Sequence, residues 1–89
     1  HIYMFNGKST QVVFRAKKYL LSELFDWFGK DISFTDETED EVTCSVYVNE
    51  TAMRKWALQY ALHVKVISPQ RMVDAIIEDI NYVAERYGR

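Results

Sequence analysis

Between Val42 and Val48 every second residue is apolar. Val42, Cys44, Val46 and Val48 point one way, and Thr43, Ser45 and Tyr47 point the other. That period of two belongs to a β-strand with one face in a core and one face away from it. A chain holding such a strand needs partner strands and a layer to cover the apolar side, so the rest of the sequence is read for both.

A second alternating run lies upstream. Val12, Phe14 and Ala16 share one face, and Val13, Arg15 and Lys17 share the other. Ile32 and Phe34 begin a shorter run, and Val64 and Val66 frame a fourth that reaches Ile67. Helical spacing fills the intervals: Leu20, Leu24, Trp27 and Phe28 form one stripe closed by Gly29, and Met53, Trp56, Ala57 and Tyr60 form another that runs to about Leu62. Asn49 is placed to cap the second of these helices. Ser68-Pro69 reads as an N-cap serine followed by a proline at the first helical position. The last helix then carries Val73, Ile76, Ile77, Ile80, Val83, Ala84 and Tyr87 as an inward stripe, with Arg86 in its final turn and Gly88 beyond.

The order is strand, helix, strand, strand, helix, strand, helix. Right-handed crossovers turn the first six elements into a split βαβ sandwich of the ferredoxin-like kind, an α+β fold (βαββαβ) with a four-stranded antiparallel sheet and an added C-terminal helix. Residues 1–10 read as a linker or the end of a preceding segment, and residues 11–89 as the domain. With 89 residues a single modest core is what the chain can bury. The chain starts at His1 and its first methionine is Met4, so it reads as a piece of something longer.

One cysteine makes no internal disulfide, and together with the absence of a long apolar run it points to the cytoplasm, with no membrane partner. The net charge of −2 argues against a stand-alone nucleic-acid binder. Five acids between Asp36 and Glu41 read as a solvated, self-repelling loop. Asn6-Gly7 reads as a turn into the first strand. Gly7-Lys8-Ser9-Thr10 lacks the earlier glycine and following helix of a phosphate-binding loop.

Neither metal binding nor nucleophilic catalysis finds a residue set. Cys44 falls on a buried strand face, and His1 and His63 are isolated. The chain is therefore read as a non-enzyme with no cofactor and no metal. A hydrolase of the acylphosphatase kind rests on fold analogy alone. The sheet face away from the helices carries Arg15, Lys17, Tyr47 and Lys65, the candidate ligand or nucleic-acid site: three cations for phosphate and an aromatic ring for a base. Alternatively, the last helix or a second subunit lies across that face.

The stretch Trp56-Ala57-Leu58-Gln59-Tyr60, then Val64-Lys65-Val66-Ile67-Ser68-Pro69, then a long helix ending Arg86-Tyr87-Gly88, resembles the C-terminal extension (WCX) domain of bacterial WYL-domain transcriptional regulators. The match covers residues 50 to 88, with the same order of elements over residues 11 to 49. Ala61 stands where that family more often has glycine, and the Trp-Tyr-Leu tripeptide is absent, its nearest counterpart being Lys18-Tyr19-Leu20. The resemblance implies a ferredoxin-like module that assembles a homodimer. It also implies a relay of ligand sensing from a WYL domain to a DNA-binding winged helix, both outside this chain, with nucleotide or single-stranded nucleic acid as the effector.

Overall fold

Alternation of the kind seen at Val42–Val48 produces four strands in the computed structural model, which describes residues 2–89 and the side chains from Met4 onward. They are β1 (Ser9–Lys17), β2 (Ser33–Glu37), β3 (Glu41–Asn49) and β4 (Val64–Ser68), joined with the helices α1 (Leu21–Phe28), α2 (Glu50–Gln59) and α3 (Gln70–Arg86). The sheet order is β2-β3-β1-β4, and every neighbouring pair is antiparallel. This is the ferredoxin-like α+β arrangement with one extra helix at the end. His1, read as an isolated histidine, lies outside the described residues.

Phe14, Phe28 and Trp56 form the centre of the core. The Phe14 ring centroid is 5.8 Å from that of Phe28 and 5.4 Å from that of Trp56, and Phe28 and Trp56 are 4.9 Å apart. One strand and both crossover helices therefore meet at three aromatic rings in tilted or edge-on contact, a geometry that adds to plain burial. Val12, Ala16, Val42, Cys44, Val46 and Val48 complete the apolar face of the sheet. Burial alternates strictly along β1 from Val12 and along β3, as the period of two requires.

Local signals account for most boundaries. Gly29 takes φ +63°, where a side chain would be strained, and ends α1. Asn49 Oδ1 accepts the Ala52 N–H at 2.9 Å and caps α2, while Asn49 Nδ2 donates to the Asn6 carbonyl at 2.8 Å. Gly7 follows at φ +71°, the turn read from Asn6-Gly7.

Several expectations need correction. The first strand starts at Ser9, and Met4 is wholly buried in the core, so the segment read as linker packs against the sheet and α2. The second helix ends at Gln59 instead of near Leu62. Its end is closed by Tyr60 N–H to Trp56 O and His63 N–H to Tyr60 O, and Ala61 keeps a negative φ. Ser68 does not cap the last helix: its backbone pairs with Val13 at the end of β4, which makes Pro69 the N-cap and Gln70 the first helical residue. The acidic stretch is not one loop. Asp36 and Glu37 lie in β2, Glu41 opens β3, and only residues 38–40 form the turn between them.

The largest correction concerns α3. No residue of the expected stripe is fully buried: Val73 and Ile76 are partly so, and the buried side chain of the helix is Met72, outside that stripe. Ile77, Ile80 and Val83 are 50%, 46% and 50% exposed, and Tyr87 is 83% exposed. The helix lies beside α2 and β4; its first two turns reach the core, and beyond them Asp79 is tied to Arg54 of α2 while the apolar side chains stay half exposed. Among the described residues no helix is long and apolar enough to cross a membrane.

Candidate functional site

The strand register decides what the open sheet face can bring together. Across β1 and β4, Arg15 sits opposite Lys65; across β1 and β3, Arg15 faces Thr43, Lys17 faces Glu41, and Gln11 faces Tyr47. Arg15, Lys17, Tyr47 and Lys65 do share the face turned away from the helices, and α3 does not lie over it: that helix packs on α2 and β4 from the other side. Tyr47 is 63% exposed.

The three cations cluster, but Tyr47 is not among them. Tyr47 stands four residues along β3 from Thr43, roughly 13 Å at the rise of an extended strand. Its partner across the ladder is Gln11, whose side chain bonds to that of Ser45, two residues along β3, at 3.0 Å. A ring at one end and cations at the other do not frame a single nucleotide.

Glu41 changes the electrostatics further. Its carboxylate lies 3.6 Å from Arg15 Nε and 3.4 Å from Lys17 Nζ, so two of the three cations already share an anion. Arg15 Nε is buried with no hydrogen-bond acceptor among the described residues, since 3.6 Å is too long for a hydrogen bond. Asp36 also falls on this face, opposite Thr43, because a bulge between Phe34 and Asp36 shifts β2. The basic patch is therefore a mixed one, with Lys65 as its most exposed cation.

Reasoning from sequence missed a second surface. A cleft of about 680 Å³ opens between α1 and β2, lined by Leu21, Phe25, Phe34 and Val42 with Lys18 and Glu37 at its rim. Phe25 and Phe34 are 52% and 43% exposed and meet edge to face at 5.8 Å. Lys18 Nζ and Glu37 are joined at 2.6 Å, and this contact holds the Glu37 carboxyl below its ordinary range. Phe25 lies off the stripe that predicts α1, and that was its only signal.

The remaining groups with reactive potential are occupied or buried. Cys44 is fully buried, and desolvation pushes its thiol up to about 12, so it stays protonated and inert at neutral pH. His63 Nδ1 shares a 2.7 Å hydrogen bond with the Tyr19 hydroxyl at the mouth of β4. The Tyr60 hydroxyl accepts from Trp27 Nε1 at 3.1 Å and donates to Glu23 at 3.0 Å, tying α1 to the end of α2. Among the described residues no group of three or more His, Cys, Asp or Glu is placed to hold a metal ion. No protein-family model matches the chain, and no curated protein matches it.

Proposed function

We propose that this chain is a non-catalytic regulatory and oligomerisation module of a DNA-binding transcriptional regulator. In this reading it works in the cytoplasm, pairs as a homodimer, and relays ligand sensing by a WYL domain to a winged helix, both lying in other parts of the same regulator. The observation that carries the reading is α3, a long amphipathic helix on a well-packed core whose second half keeps its apolar side chains half exposed. Such a face is stable in water only at a cost, and a partner surface removes that cost. The resemblance of residues 50 to 88 to the WCX domain supplies the regulatory setting.

A relay of this kind acts by shifting the module between two packings, which requires a contact that differs between the two. Deleting residues 1–89 from the regulator that carries them tests the role. Loss of oligomeric state in sedimentation, together with loss of the effector response at the operator, is the expected result. Unchanged assembly and unchanged response on deletion refute it.

A further inference from the structure

The sheet has two open edges, and they are not alike. β2 carries Asp36 and Glu37, its turn adds Glu39 and Asp40, and a bulge interrupts its pairing at Thr35. Acidic side chains and a bulge are what keep an edge strand from pairing with a copy of itself. β4 lacks the acidic side chains, and its own bulge lies at its far end, at Ile67 beyond Val66. Its one charged residue is Lys65, and Val64, Val66 and Ile67 surround it.

The backbone of β4 is phased for pairing outward. Lys17 N–H donates to the His63 carbonyl at 3.0 Å, and Arg15 pairs with Lys65 two residues on, so His63 and Lys65 turn their backbone groups toward β1. In an antiparallel ladder the alternate residues, Val64 and Val66, then turn theirs away from it. On the helix side, Val73, Ile76, Ile77 and Ile80 of α3 form with β4 a groove of about 300 Å³.

Resting on the assembly reading above, we propose that the β4 edge and the adjoining flank of α3 form the surface on which a second copy of this chain docks, antiparallel and two-fold about Val66. That axis sets each Val66 N–H against the other copy's Val66 carbonyl and keeps the two Lys65 ammonium groups from facing each other. Moving the axis to Lys65 would set two ammonium groups face to face, which is unfavourable for directly opposed residues. The same symmetry brings two α3 flanks together on one side of a continuous eight-stranded sheet. Ile77 and Ile80 of each copy then meet. A five-residue strand pairing alone falls short of the roughly 1,000 Å² that a stable interface buries, and the helix flank supplies the remainder.

The test is sedimentation equilibrium of the 89-residue chain over a range of concentrations, with the double variant Ile77→Asp, Ile80→Asp and the control Phe34→Ser on the opposite edge. Both isoleucines are half exposed, so far-UV circular dichroism should show the fold intact. Two buried carboxylates at the interface should weaken dimerisation by about a hundredfold or more, and the control should not weaken it. Amide exchange on the unaltered chain gives a second measurement: the Val64 and Val66 amides should slow as concentration rises. A dimer that survives the double variant, or whose Val64 and Val66 amides exchange at one rate at all concentrations, overturns this surface and leaves the assembly reading standing. A chain that stays monomeric throughout overturns both.

Discussion

Arg54 and Asp79 face each other across α2 and α3 with two parallel hydrogen bonds, Nε to Oδ2 and Nη2 to Oδ1, each 2.7 Å long. This fork is the main polar tie on the part of α3 that extends past Met72. It fixes rotation as well as distance, because two guanidinium nitrogens donate in parallel to the two carboxylate oxygens. Arg54→Met keeps the stem and removes the fork. The expected outcome is faster amide exchange in α3 beyond Asp79, with exchange in β1 and β3 unchanged; equal protection in both proteins would show that packing alone holds the helix.

Trp56 is the largest buried side chain, and its indole N–H has no acceptor among the described residues. Replacing it separates volume from hydrogen bonding. Trp56→Ala leaves a cavity between Phe14 and Phe28 and should cost about 3–5 kcal/mol, a large share of what a domain of this size has. Trp56→Phe loses less volume and no hydrogen bond, and should cost about 1–2 kcal/mol. Urea denaturation of the two variants checks the order; a Trp56→Phe loss well above that range would mean that the indole nitrogen is paired in solution.

Glu41 holds Arg15 and Lys17 in a shared ion pair on the open sheet face. Glu41→Gln frees both cations and changes the net charge from −2 to −1. If that face takes nucleic acid, the variant should bind a single-stranded oligonucleotide more tightly than the natural chain at low salt, and the difference should vanish as salt rises. Fluorescence anisotropy at two salt concentrations measures it. No binding by either protein at low salt removes nucleic acid as a ligand of this face.

Three carboxylates carry the acid limb of stability. Glu37 beside Lys18, Glu50 beside Arg71 and Asp79 beside Arg54 are each held below their ordinary values of 4.5, 4.5 and 3.8, with the hydrogen bond to the cation as the largest cause. A carboxyl whose folded value is depressed stabilises the fold above its unfolded value and loses that contribution as pH falls through the folded one. Denaturation midpoints should therefore hold steady from neutral pH to about 4.5 and decline below it. Glu37 is exposed and Glu50 and Asp79 are partly exposed, so the decline should be shallow and should shrink with added salt. Combining Lys18→Met, Arg54→Met and Arg71→Met should flatten it.

The strands that carry one face in the core were legible because burial writes a period of two into the residues: Val42 to Val48 in β3 and Val12 to Ala16 in β1 have the faces the alternation predicts. The fold class followed from the order of elements. The α3 stripe was misread for a reason of the same kind, since periodicity tells which side chains avoid water and not what covers them. Ile77 and Ile80 look the same in sequence whether they meet a core or a neighbour. The Glu41 ion pair was hidden because it depends on which residue of β3 faces Lys17, and register comes from pairing, not from either strand alone. Met4 was passed over because the apolar run Ile2–Phe5 that holds it is too short to show a period.

Asn49 spends both ends of one side-chain amide, the oxygen on the first turn of α2 and the nitrogen on the Asn6 carbonyl ahead of β1. The stretch that leads into the sheet and the start of the second helix are thereby riveted together through one side chain. A tug on residues 6–8 pulls directly on that rivet, and the helix it opens is the one bearing Trp56 and Arg54. Mechanical strain arriving at one end of the chain thus has a short route, through one residue, to the hub of the core and to the fork that steadies α3.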